Sequence, residues 1–170
     1  MAKDLAILGK VAHFDFHCLQ GGEGTLNKKF VEFMHVQAAS KIADNYGMLT
    51  NGSLLDRMPE EFWKLAKSMS YEIRVSHYPD LDKEVLAYAH RKAREYDLNF
   101  RVSNEFESFA KMFITHADGG KKVWALCPWK RCWTLHEGWF FNCPQAAFLP
   151  GQFPEKFPAT ALRSPVDSME

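Results

Sequence analysis

The sequence predicts an α/β protein: a mostly parallel sheet of about four βα units, open rather than closed, followed by a cysteine-rich hairpin. Three observations predict it. Short apolar or alternating runs recur at Val11 to Leu19, Met48 to Thr50, Tyr71 to Ser76 and Leu98 to Ser103. Between them lie stretches with apolar residues at helical spacing. Each run ends in glycine, asparagine or serine before the next helical stretch begins, the punctuation of strand, turn and helix. Such alternation specifies a parallel sheet with right-handed crossovers and puts every strand's carboxyl end on one edge, where α/β sheets bind small molecules.

Taken in order, Lys3 to Leu8 is a short helical pattern that stops at Gly9, and the first strand follows almost directly. It ends in Gly21-Gly22-Glu23-Gly24. Consecutive glycines let a ligand approach the backbone, and a carboxylate at a strand tip can accept hydrogen bonds from an ammonium group. The same composition also makes a plain turn. From Lys28 to Tyr46, Phe30, Val31, Met34, Ala38, Ile42 and Tyr46 recur at helical spacing, with Gly47 at the expected left-handed cap. A short strand from Met48 then opens on Asn51-Gly52, which is either a turn or a ligand-facing tip. Pro59, Glu60 and Glu61 suit a helix start, with Phe62, Leu65, Ala66 and Met69 as its buried stripe. After the third strand, Ser76 stands at the same edge as Glu23. Asp80 or Asp82 caps a helix running to Tyr96, whose Arg91, Lys92 and Arg94 form a solvated face. A fourth strand and a helix from Asn104 to Phe113 complete the alternation.

The composition sets bounds. A chain of 170 residues suits one domain of about 150 residues plus a tail. Its 21 basic and 21 acidic residues are interspersed, so charge proposes neither nucleic acid nor any other macromolecular partner. No stretch approaches the roughly 18 apolar residues of a membrane span, and Met1-Ala2-Lys3-Asp4 does not open a signal peptide, so a cytoplasmic location is expected.

Four cysteines, Cys18, Cys127, Cys132 and Cys143, are too few for a disulfide scaffold. Three of the five tryptophans, Trp124, Trp129 and Trp133, lie beside the later cysteines. Trp133 to Leu135 and Trp139 to Phe141 can pair as a hairpin across His136-Glu137-Gly138, bringing Cys132 and Cys143 together, with Cys127 able to fold onto the same point. Converging thiolates, with a histidine, Cys18 or an exogenous ligand as fourth, make a zinc or iron-sulfur site. Small buried hydrophobes in an aromatic cluster are the other reading of the same cysteines. From Pro144 on, five of the eight prolines fall in 27 residues, which predicts an extended tail. The expected organisation is an α/β domain over residues 1–118, a cysteine-rich hairpin over 119–148 and a proline-rich tail over 149–170.

Gly21-Gly22-Glu23 resembles the GGEP turn of the radical S-adenosylmethionine enzymes, with Gly24 in place of the proline. Thr50-Asn51-Gly52-Ser53 is similar to the TNG segment one βα unit later, and Arg74 to Pro79 to the next strand tip of that family. The spacing of Cys127, Gly138 and Cys143 resembles the opening of the SPASM or twitch extension, whose later cysteines are missing. The CxxxCxxC loop that carries the family's catalytic [4Fe-4S] cluster is absent from the chain. The resemblance implies a partial, TIM-barrel-like sheet that binds S-adenosyl-L-methionine through Gly21, Gly22, Glu23 and Ser76. It also implies a [4Fe-4S] cluster or zinc on Cys127, Cys132, Cys143 and Cys18. Catalysis then requires a cluster loop supplied upstream or by a partner that completes the sheet, acting on a substrate the sequence does not specify. The rival reading is a non-catalytic α/β binding module with a structural zinc on the later cysteines.

Overall fold

In the computed structural model, residues 1–104, 132–141, 143–155 and 163–168 are described. The chain divides into two units, one of residues 12–110 and one that groups residues 3–11 with residues 111–170.

The first unit is an open parallel α/β sheet. Its strands are β1 (Phe14–Leu19), β2 (Ala43–Thr50), β3 (Glu72–Val75) and β4 (Asn99–Val102), hydrogen-bonded in the order β1-β2-β3-β4, with all three pairings parallel. They are joined by α2 (Phe30–Ser40), α3 (Glu60–Ser68) and α4 (Lys83–Glu95). A strand order that always advances in one direction, with crossovers of one hand, places every helix on the same face. The contacts agree: Phe30 of α2 and Phe62 of α3 have ring centroids 6.3 Å apart, and Trp63 of α3 stands 6.4 Å from Tyr88 of α4. Beneath the helices lie Tyr46 and Met48 of β2 and Ile73 and Val75 of β3, all buried. Each large side chain sealed there contributes about 1.5–3 kcal/mol.

The opposite face carries Phe16, Asn45, Leu49, Glu72, Arg74 and Arg101, one step out of phase with the buried residues. Glu72 accepts from Arg74 Nε at 2.9 Å and pairs with Arg101 Nε at 3.0 Å, and the Arg74 guanidinium stacks 4.3 Å from the Phe16 ring centroid. Arg74's hydrogen bond and the two neighbouring positive charges hold the Glu72 carboxyl below the usual carboxylate range.

Several element boundaries differ from expectation. α2 stops at Ser40 instead of running to Tyr46, because Lys41 turns left-handed at φ 50° and Ile42 returns the chain to the sheet. Gly47 is therefore mid-strand and caps nothing. Its missing side chain is required there, since a Cβ would stand 2.5 Å from the Glu72 carbonyl oxygen and 2.7 Å from the Phe16 ring. The helices α3 and α4 end alike, with Ser70 and Asp97 left-handed and the next residue donating back to the last turn, Tyr71 to Ala66 O at 2.9 Å and Leu98 to Ala93 O at 2.8 Å. Asp82 caps α4 by accepting from the Glu84 N–H at 2.7 Å. The helix expected from Asn104 to Phe113 lies outside the described residues.

In the second unit, α1 (Ala2–Val11) continues through Gly9 and buries Leu5, Ile7 and Leu8. β5 (Thr134–His136) and β6 (Trp139–Phe141) pair antiparallel, and β7 (Arg163–Pro165) adds to β6 as a third strand. Glu137 and Gly138, at φ 49° and 76°, form a two-residue turn with both residues left-handed, the twist that matches a hairpin. Between the strands lies α5 (Pro144–Gln152). The proline-rich region is thus not simply extended: Pro144 occupies the first helical turn, where its missing N–H costs nothing, and a later stretch joins the sheet.

Candidate functional site

The carboxyl edge of the four-stranded sheet is stitched together residue by residue. After β1 the chain passes Gln20 and reaches Gly21 at φ 145°, a conformation that favours glycine. Among the described residues, a Cβ built on Gly21 or on Gly22 would meet nothing within 4 Å, so both backbones border open space there. Gly24 differs, since a Cβ there would stand 2.9 Å from the Phe30 ring.

Glu23 precedes a 3₁₀ turn (Gly24–Leu26) and turns its carboxylate toward the neighbouring strand. One oxygen accepts from the Thr25 N–H at 3.1 Å, the Thr25 hydroxyl at 2.5 Å and the Thr50 hydroxyl at 2.8 Å. The other accepts from the Asn51 N–H at 2.6 Å. All of these donors are uncharged, so they fix the carboxylate while leaving its negative charge in place. Thr50 is 3% exposed, and its hydroxyl oxygen also accepts from the Gly52 N–H at 3.0 Å. Asn51 Oδ1 accepts from the Ser53 N–H at 2.9 Å and from its hydroxyl at 2.7 Å. Gly52, at φ 82°, would bring a Cβ to 2.9 Å from Val75, which closes the turn against β3.

The stitching continues across the sheet. The Ser76 N–H donates to Thr50 O at 2.8 Å and the Ser103 N–H to Val75 O at 2.9 Å, while the His77 N–H donates to Ser103 Oγ at 3.0 Å. Glu23, Asn51, Ser76 and Ser103 therefore lie along one edge, as the βα alternation predicts. Gly21, Gly22 and Glu23 are contiguous on the β1 tip, and Ser76 is two strands away, half-buried, on the β3 tip.

Beneath this edge is a polar cluster that has no motif in the sequence. Gln37 of α2 is fully buried, donates to His17 O at 2.9 Å and accepts from the Tyr71 hydroxyl at 3.0 Å. Burial raises the Tyr71 pKa, so the hydroxyl stays a donor. His17 is held below its ordinary pKa by burial, and its Nδ1 is buried without a hydrogen-bond partner among the described residues.

Cys18 is on β1, and its thiol donates to Leu19 O at 3.6 Å. Cys132 and Cys143 flank the β5–β6 hairpin as free, half-buried thiols. Cys143 caps α5, its sulfur accepting from the Ala146 N–H at 3.4 Å. Cys127 lies outside the described residues. Among the described residues no group of three or more histidine, cysteine or acidic side chains is gathered as a metal site, and no helix is long and apolar enough to cross a membrane. Two thiols held on one hairpin are a donor set suited to zinc or an iron-sulfur cluster once further ligands join them.

No protein-family model matches the chain, and no curated protein matches it in sequence.

Proposed function

We propose that this chain is a partial radical S-adenosylmethionine protein whose strand edge binds the methionine end of S-adenosyl-L-methionine. The observation that carries the reading is the β1 tip: two glycines bordering open space, followed by a carboxylate fixed by uncharged donors. In this reading the backbone groups of Gly21 and Gly22 and the Glu23 carboxylate receive the ligand's ammonium group. Ser76 serves its ribose or its carboxylate. The open parallel sheet is then part of a TIM-barrel-like arrangement, supported by a strand order that advances in one direction with the helices packed side by side. Cys127, Cys132, Cys143 and Cys18 are the candidate ligands of a [4Fe-4S] cluster or zinc. In members of this family a cluster supplies the electron that cleaves the bound cofactor, and its CxxxCxxC loop must come from outside this sequence.

The test is equilibrium dialysis of the full chain with labelled S-adenosyl-L-methionine. Gly22→Val is the informative variant, because a Cβ there meets nothing within 4 Å among the described residues and the branched side chain occupies the space the ligand needs. We expect saturable binding that weakens at least about tenfold in Gly22→Val, a loss of about 1.4 kcal/mol, with the unfolding transition unmoved. Undiminished binding in the variant, or none by the parent chain, overturns the proposal. Metal analysis of the same preparation addresses the cysteines separately.

A further inference from the structure

Cys132 and Cys143 bracket a hairpin whose register is fixed by three pairs, Thr134 with Phe141, Leu135 with Phe140 and His136 with Trp139. The last printed pair is Thr134 with Phe141, and Cys132 and Cys143 each stand two residues beyond it, so a ladder continued that far would set them opposite one another. With the strand period of two kept as far as the cysteines, both side chains would fall on the face of Thr134 and Phe141. His136 and Trp139 close a two-residue turn, which makes them a hydrogen-bonded pair, and every second pair outward shares that character. Cα atoms of such pairs stand about 5.5 Å apart, inside the roughly 4.4–6.8 Å that a disulfide spans. The backbone of Cys143 is itself extended, at φ −159° and ψ 156°. Both thiols are half-buried and unoxidised, hence open to a small oxidant.

We propose that Cys132 and Cys143 form a reversible cross-strand disulfide in the metal-free chain. With glutathione disulfide as oxidant, one cysteine sulfur gives up its proton and attacks a glutathione sulfur, releasing one glutathione and forming a mixed disulfide. The second cysteine then attacks the protein sulfur of that mixed disulfide and releases the other glutathione. The two cysteines lose two electrons and two protons, and glutathione disulfide gains both. The bridge clasps the hairpin and removes both sulfurs from any metal site, so the reduced state alone can present them as ligands. The bridge itself does not depend on the ligand role proposed above.

The full chain, reduced and freed of metal, is equilibrated with glutathione disulfide and glutathione, and remaining thiols are then blocked with N-ethylmaleimide. Trypsin leaves both cysteines in one fragment, residues 132–156, because no lysine or arginine separates them. We expect that fragment to appear unblocked and two daltons lighter. Cleavage after Glu137 should give two linked pieces that dithiothreitol separates. Cys132→Ser and Cys143→Ser should each abolish the mass loss, which is read on the peptide and needs no folded variant beyond the parent. Blocked thiols at both positions, persistent glutathione adducts, or a bridge from either residue to Cys18 or Cys127 overturns the proposal.

Discussion

At the scale of single residues, polar groups are placed by what they must satisfy, and sequence reports that unevenly. Glu23 was legible because it follows two glycines at a strand end, yet its partners Thr50 and Asn51 lie a βα unit away and only pairing of the strands brings them together. Gln37 was invisible, since one glutamine among apolar helix positions carries no sign that it joins His17 and Tyr71 in the interior. His17 carries a pH consequence in the range where imidazole titrates. Burial disfavours its imidazolium, so its folded pKa lies below the 6.5 it resumes on unfolding. When pH falls below about 6.5, the unfolded chain takes up protons that the folded chain refuses, and stability declines. The contribution is complete above that pH and is lost as pH drops through the folded value. Urea unfolding followed from about pH 7.5 to 5.5 should therefore show a falling midpoint, and His17→Leu should flatten the fall. An equal slope in the variant would assign the decline to other groups.

At the scale of elements, the sequence marks helix starts better than helix ends. Asp82 and Pro59 announce α4 and α3, but α2, α3 and α4 are closed by left-handed Lys41, Ser70 and Asp97, where glycine would have been the visible signal. The α2 boundary is ambiguous in the sequence for a further reason. Ala38, Ile42 and Tyr46 are spaced by four, which fits one helical turn and also two periods of a strand. Tyr46 is buried within β2 and Ile42 just before it, so the strand governs there. The β5–β6 turn offers a test of the same backbone economy. Glu137 sits at φ 49°, where a side chain with a Cβ is disfavoured and asparagine is tolerated best after glycine. Glu137→Asn should stabilise the hairpin by up to about 1 kcal/mol, because the strand pairing is kept while the left-handed residue becomes a favourable one. Thermal unfolding followed by circular dichroism would show a higher midpoint, and a lower one would mean that the Glu137 side chain contributes more than its backbone costs.

At the scale of the whole molecule, alternating strand and helix signals are local and repeated, which is why a parallel α/β sheet is legible in the sequence. The division into units was not: α1 groups with residues far along the chain, and a strand from the proline-rich region joins the hairpin, both through long-range contacts that no local pattern encodes. The chemistry follows the same division. The groups proposed to hold S-adenosyl-L-methionine are local to the strand tips of one unit, whereas the radical reaction of that family would need an iron-sulfur cluster to supply its electron, and the chain contains no CxxxCxxC loop to hold one. Of the late cysteines, Cys132 and Cys143 lie in the second unit, beyond the four-stranded sheet in sequence, and do not stand after its first strand. The isolated chain, reconstituted anaerobically with iron and sulfide and reduced with dithionite, should therefore form no 5′-deoxyadenosine above a protein-free blank, even where dialysis detects bound S-adenosyl-L-methionine. Stoichiometric product would reverse this argument, because the electron would then have to come from a cluster on Cys127, Cys132 and Cys143, and replacing Cys143 by alanine should abolish it.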